Sequence, residues 1–292
     1  MSNTYYGDYL GIDPLLELQR PRSEELGRPA HDEMLFIITH QAYELWFKQM
    51  LHEINSVLTI FEEAYVEDHL LSTAVARLER VIEIQHLLIH QIQIMETMRP
   101  LDFLEFRDLL VPASGFQSVQ FRLIENSLGL KKESRLKYHQ KEYKESLCPM
   151  HQQVVETAED KRSLFDAVKA WLERTPFLQF GNFDFWQSYR ESVEQMFAQD
   201  RQMIQDNSLL SEKDVEFRLR QLSNTEQEFT TLFDAERYQA LLDQGEKRLS
   251  YRATQAALLI LLYRERPILH LPYRLLTSIT TIDELLTNWR YR

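Results

Sequence analysis

Residues that end a helix or turn a strand are scarce in this chain, which has seven glycines and nine prolines in 292 residues. A sheet of many strands needs a tight turn every few residues, and Gly and Pro supply most of those turns. Leu, Glu, Gln and Arg, which suit helices, are abundant instead. An all-α fold is therefore expected, a helical bundle long enough to bury a full core.

Apolar residues recur at helical spacing from residue 32, with Asp32 as the N-cap, to about residue 64. They recur again from about residue 71 to 98, where Pro100 stops the pattern, and the two segments should pair antiparallel. Residues 5–18 (YYGDYLGIDPLLEL) are irregular around Gly7 and Gly11 and then helical. Residues 102–110 lead into the turn Pro112-Ala113-Ser114-Gly115, after which residues 116–128 resume a helix. The more charged part, 131–240, carries helical stretches at 163–174 and 211–233, separated by an aromatic loop at 177–186. Residues 251–263 are strongly apolar, and Pro267 and Pro272 should turn the chain. Thr281-Ile282-Asp283-Glu284 reads as a capping box opening a last helix with Ile282, Leu285, Leu286 and Trp289 on one face. That helix has no Gly, Asn or Pro to end it, so the natural polypeptide is expected to continue past Arg292. No boundary or repeat divides the sequence. The expectation is one domain over 1–292, with an N-terminal arm at about 1–20 and peripheral helices at about 131–240.

The formal charge of −12 argues against a nucleic-acid surface, which needs clustered Lys and Arg. The one basic cluster, at 131–144, is interleaved with Glu and reads as solvated. A single cysteine, Cys148, excludes an internal disulfide framework and fits a reducing compartment. The longest apolar run, 256–262, is far below the ~20 residues of a membrane span. The expectation is a soluble cytoplasmic protein without membrane or nucleic-acid partners.

Residues 31–53 (HDEMLFIITHQAYELWFKQMLHE) carry the strongest hint of chemistry. At 100° per residue Gln41, Glu44, Lys48 and His52 form a polar face, but His40 lies away from it beside Phe36, Tyr43, Phe47 and Leu51. A neutral histidine there can hydrogen-bond one polar atom of a flat apolar ligand; the alternative is a core histidine satisfied by a backbone carbonyl. Arg107 follows Phe103 by one helical turn, and its guanidinium suits either a ligand carboxylate or a salt bridge to Asp108 or Glu105. Glu83-Ile-Gln-His86 and the pair His86/His90 have the spacing of helix-borne metal ligands, but there is no second Glu-x-x-His, so two histidines on a polar face is the simpler reading and no metal ligand is assigned. No phosphate loop, Cys-x-x-Cys pair or nucleophile elbow is present.

Five blocks in order, YGDYLGIDPLLELQ, HDEMLFIITHQAYELWFKQMLHEI, LDFLEFRDLLVPASGFQSVQFRLIEN, LSYRATQAALLILLYRERPILHLPYRLLTS and IDELLTNWRYR, resemble the tryptophan 2,3-dioxygenase family over essentially the whole chain. The resemblance implies an all-helical homotetramer, a dimer of dimers, that uses haem b (iron protoporphyrin IX) and O2 to open the indole ring of L-tryptophan to N-formylkynurenine. It implies that His40 is the distal histidine bonding the indole N–H, within a substrate-binding stretch Phe36, Ile37, Ile38, Thr39 and His40. Phe103 would pack on the indole and Arg107 would bind the carboxylate. Ser114 and Gly115 match a turn against haem and substrate, Trp289 a tryptophan beside the haem, and Tyr6 and Tyr9 match tyrosines reaching a neighbouring subunit's pocket. The family's proximal histidine directly follows its Trp-Arg-Tyr-x element, which here is Trp289-Arg290-Tyr291-Arg292, so that ligand would be the next residue and the C-terminal haem segment is missing from the sequence. Thr281 stands where the family usually has an acidic residue. Two alternatives stay open: a haem oxygenase of the same superfamily acting on another aromatic amino acid, and a haem-poor module that binds tryptophan.

Overall fold

The computed structural model describes residues 4–63, 65–130, 143–176, 178–180 and 183–291. Among them the regular structure is helical apart from one antiparallel pair, Gln179–Phe180 with Phe183–Asp184, as the scarcity of turn residues requires. The chain divides into two compact units, residues 1–165 with 274–292, and residues 166–273.

The first unit opens with three short helices, α1 (Tyr6–Leu10), α2 (Ile12–Leu16) and α3 (Arg22–Glu25). Gly11, at φ 61°, makes the break between α1 and α2 in a conformation that side chains other than glycine's resist. Neither α1 nor α2 buries a residue. The long helices α4 (His31–Ile60) and α5 (Asp68–Met95) pack together, as the two periodic segments predict. Tyr43, Phe47, Met50, Ile54 and Val57 form the buried stripe of α4, at alternating spacings of four and three; Leu71, Val75, Leu78, Val81 and Leu88 are buried on α5. Two carboxylates on α4 are also buried, and both are spent. Glu33 accepts from the backbone N–H groups of Arg22 and Ser23 at 2.8 and 2.9 Å, at the start of α3, and Glu53 accepts from Arg80 at 2.7 Å.

The shorter helices α6 (Pro100–Leu104) and α7 (Arg107–Leu110) follow, then a 3-10 turn at Gly115–Gln117, α8 (Val119–Leu128) and α9 (Pro149–Glu159). Both α6 and α8 pack against α4, and α9 packs against α8. Ser118 caps α8 by accepting from the Phe121 N–H at 3.2 Å.

In the second unit α11 (Phe185–Gln205) packs on α12 (Glu212–Phe233), followed by α13 (Ala235–Asp243) and α14 (Tyr251–Leu262). The unit boundaries fall within α10 (Leu164–Glu173) and α15 (His270–Tyr291). Trp186 donates its indole N–H to the Tyr251 hydroxyl at 2.8 Å within an aromatic cluster that includes Phe185, Tyr189 and Phe233.

Several local expectations are corrected. Asp32 is not the N-cap of α4: the helix begins at His31 after Ala30, and Asp32 sits in the first turn, where a carboxylate is favoured by the helix dipole without capping it. Thr281 to Glu284 open no helix, because they lie inside α15; nothing between His270 and Thr281 breaks it, and Thr277 and Thr280 direct their hydroxyls back to carbonyls of their own helix. Pro272 does not turn the chain, since it stands in the first turn of α15, where its missing N–H costs nothing. The aromatic segment at 177–186 is not one loop: it holds the strand pair and the start of α11, which Asp184 caps through the Gln187 N–H. Residues 131–142 of the basic cluster lie outside the described residues, and Lys144 pairs with Glu156 and Glu159. No helix among the described residues is long and apolar enough to cross a membrane.

Gly129 ends α8 at φ 94°, and a Cβ there would lie 2.8 Å from Phe165 Cβ and from Ser163 Oγ. Gly129→Ala should therefore cost about 1–3 kcal/mol through backbone strain and the clash. Urea unfolding measures this; an unchanged midpoint would show that the turn relaxes freely.

Candidate active site

An aromatic wall runs along one side of α4. Phe36 and His40 are one turn apart, with ring centroids 4.1 Å apart. From α6 and the residues after it, Phe103 and Phe106 reach the same place, 5.9 and 5.7 Å from Phe36 and 5.3 Å from each other. The wall continues through Tyr43, 6.4 Å from His40, to Trp289 of α15, 5.6 Å from Tyr43 and 5.1 Å from Phe121. Phe106 is fully buried and was not singled out from the sequence, although its i+3 spacing from Phe103 marks it.

His40 is solvent-exposed at the edge of this wall, so it is not a core histidine, yet one of its nitrogens is satisfied by a backbone carbonyl. Nδ1 lies 2.7 Å from the Phe36 carbonyl oxygen. A carbonyl only accepts, so Nδ1 carries the proton. In the uncharged ring Nε2 is then an acceptor. The bond and the tilted contact with the Phe36 ring together restrain the imidazole plane.

Arg107 is exposed at the start of α7, and no ion pair to it occurs among the described residues. The anticipated pairing with Asp108 is absent because Asp108 bonds Arg28 at 2.9 Å, which holds its carboxyl below the usual carboxylate range. That pair lies on the surface and contributes little to stability. It does leave Arg107, next in sequence to Phe106, without an ion-pair partner among the described residues.

The other expected residues are placed as follows. Ser114 caps the 3-10 turn, its hydroxyl accepting from the Phe116 N–H at 3.3 Å, while the Ser114 N–H donates to Gln117 Oε1 at 3.2 Å. At Gly115 an added Cβ would meet nothing within 4 Å, so the backbone there borders open space. Ile37 is half-buried; Ile38 is exposed, across α4 from His40; Thr39 is buried, and its carbonyl accepts from Gln91 at 3.1 Å. The structure thus groups Phe36, His40 and Phe103 but not Ile38 or Thr39. Tyr6 and Tyr9 are 73% and 78% exposed on α1 and touch none of these residues' rings. His86 and His90 are exposed, with His90 Nδ1 donating to the His86 carbonyl, and no group of three or more His, Cys, Asp or Glu able to hold a metal occurs among the described residues.

Deeper along the wall, burial pushes the Tyr43 phenol pKa up and the nearby Trp289 indole partly offsets this. Tyr43 donates to the Leu88 carbonyl at 3.2 Å. The Trp289 Nε1 is buried and within bonding geometry of no acceptor among the described residues, and the same holds for Arg122 Nε. Buried donors without acceptors are costly. A flat apolar group bearing carboxylates, as a haem does, would lie against the rings and accept from such donors, so the residues present fit it. A cavity of about 830 Å³ in the second unit, lined by Trp186, Arg190, Phe233 and Arg252, has several of its polar groups committed: Asp184 caps α11, Trp186 bonds Tyr251 and Arg190 bonds Glu194. The α4–α6 wall has an exposed imidazole at its edge, and Arg107 follows its Phe106 in sequence, which makes it the better candidate for chemistry.

Fold and wall define the class: an all-helical protein with an aromatic surface flanked by one neutral imidazole acceptor and one guanidinium. A family model described as tryptophan 2,3-dioxygenase matches residues 1–292. Curated relatives of that name are similar throughout: one from Bdellovibrio bacteriovorus is 49% identical over 288 residues, 99% of this chain and 80% of the relative. Relatives from Dictyostelium discoideum, 49% identical over 99% of this chain and 72% of the relative, and from Mus musculus, 43% identical over 98% and 70%, carry the same name. The chain belongs to the tryptophan 2,3-dioxygenase family.

The tautomer of His40 is directly measurable. Long-range ¹⁵N–¹H correlation at neutral pH should show His40 protonated on Nδ1 with Nε2 unprotonated; a proton on Nε2 would remove the acceptor.

Proposed function

We infer that this chain catalyses the opening of the indole ring of L-tryptophan by O2 to N-formylkynurenine, with haem as cofactor. The observation that carries this reading is that His40 Nε2, at the edge of the wall, and Arg107, next in sequence to Phe106, have no hydrogen bond or ion pair among the described residues. A flat, zwitterionic substrate needs an aromatic slot, one acceptor for its single ring N–H and one cation for its carboxylate. Phe36 and Phe103 supply the slot, with Phe106 behind them. His40 accepts the indole N–H, and Arg107 binds the carboxylate through its planar fork.

Haem b supplies the oxygen chemistry. Ser114, Gly115 and Trp289 would hold it. The task of the chain's own residues is to orient the ring, fix the carboxylate and exclude water, with no proton required to leave His40. Ile37, Ile38 and Thr39 belong to this reading as the backbone stretch that carries His40.

The exposed tyrosines of α1, a helix that buries nothing, support an arm docking on a neighbouring subunit of a homotetramer built as a dimer of dimers. The family match runs through both compact units, which supports a single functional domain. A lone cysteine supports a cytoplasmic setting.

Arg107→Leu should weaken L-tryptophan binding by about 2–4 kcal/mol, the scale for losing one partner of a charge pair that ligand binding desolvates, and should affect tryptamine much less. Equal losses for both ligands in calorimetry would exclude the carboxylate role. His40→Ala should retain part of the activity, because the residue orients and does not transfer protons, and should discriminate less against 1-methyltryptophan. An unchanged preference for tryptophan over the methylated analogue in a competition assay would exclude His40 as the indole acceptor.

A further inference from the structure

The first unit holds a group of buried charges that the proposed chemistry does not use. Glu125, on α8, is fully buried. Its Oε2 accepts from Arg122 Nη1 at 2.7 Å, and its Oε1 lies 3.6 Å from Nη1 of Arg290, on the last turn of α15. Arg122 is itself buried, with its guanidinium 5.4 Å from the Phe121 ring centroid and 5.9 Å from that of Phe116. An ionised carboxylate in such a place costs several kcal/mol unless its partners compensate it. Among the described residues, compensation comes from Arg122 on α8 and Arg290 on α15.

The placement ties charge to ring. Arg290 directly follows Trp289, and Glu125 follows Phe121 by one turn of α8, so one face of α8 engages two successive residues of α15. Trp289 meets Phe121 at 5.1 Å and both Phe47 and Tyr43 at 5.6 Å, ring contacts that each contribute only modestly to holding its orientation. The last turn of a helix also lacks partners for its carbonyls and frays readily. The attraction between Arg290 and the buried Glu125 carboxylate, one residue from Trp289, adds a restraint on that turn.

We propose that Glu125 is a positioning residue: by holding Arg290, with Arg122 orienting its carboxylate, it sets the rotation of the last turn of α15 and so places the Trp289 indole on the aromatic wall. Its bearing on catalysis rests on the function proposed above, but the clamp itself does not.

The test uses the full chain labelled with 5-fluorotryptophan, whose four resonances (Trp46, Trp171, Trp186 and Trp289) are assigned by single Trp→Phe replacements. Glu125→Gln should shift or broaden the Trp289 ¹⁹F resonance and leave the other three within their linewidths. Arg290→Gln should reproduce the change, and the double variant should add nothing to it, since both remove one interaction. Glu125→Asp, which keeps the charge on a shorter stem, should bring the resonance part of the way back. If Glu125→Gln does not fold, Arg290→Gln, which is only partly buried, decides the matter alone. A Trp289 resonance that stays in place, or an equal shift of all four, overturns the proposal. If the variants move Trp289 while the parent chain fails to bind tryptophan, the clamp stands and the functional reading falls.

Discussion

Everything near the site depends on α4, a thirty-residue helix packed against α5, α6 and α8. The buried face of such a helix is closed to water, so polar groups that face inward must find partners in the protein. Glu33 is satisfied by the amides that begin α3, Glu53 by Arg80, and the Thr39 carbonyl by Gln91 of α5. These bonds leave α4 one register against its neighbours. With that register set, Phe36 and His40 fall opposite α6, and Tyr43 falls opposite the end of α15.

The wall is built from weak contacts that gain by their number. The aromatic pairs Phe103–Phe106, Phe106–Phe36, Tyr43–Trp289 and Trp289–Phe121 each contribute about 0.5–1.5 kcal/mol beyond their buried area, with His40 between Phe36 and Tyr43. Precision comes instead from the few polar bonds at its margins: Nδ1–H of His40 to the Phe36 carbonyl, the Tyr43 hydroxyl to the Leu88 carbonyl, and the Arg28–Asp108 pair that keeps Arg107 from a neighbouring carboxylate. In the function proposed above, an apolar slot whose rings and imidazole are already packed has little reorganisation to undergo when a flat amino acid enters.

The sequence was readable where a signal is local. The α4 and α5 stripes, α12, α14 and the turn at Ser114 follow from periodicity and from breakers. Reading failed where two local signals compete. Thr281 to Glu284 has the composition of a capping box, but a cap needs the preceding backbone to leave the helix, and residues 270–280 give it no cause to do so. The aromatic segment at 177–186 has no clear period because a two-residue strand pair and a helix start share it. Helix α11 was overlooked for a related reason: its face is filled by Phe185, Val193 and Phe197 at long intervals, with polar residues between.

What the sequence determined by itself is helicity, the spacing that stacks Phe36 under His40 and sets Arg107 a turn beyond Phe103, and the blocks that place the chain in its family. Those are properties of residues close along the chain, where 3.6 residues per turn converts position into direction. Only the tertiary structure decided that Phe106 closes the wall, that Arg28 takes Asp108, that the Phe36 carbonyl leaves His40 an acceptor, and that Glu125 meets Arg290 165 residues away along the chain. Periodicity states which side of a helix seeks a partner. It does not state which partner, because that choice is made by packing and charge compensation among segments that the sequence holds far apart.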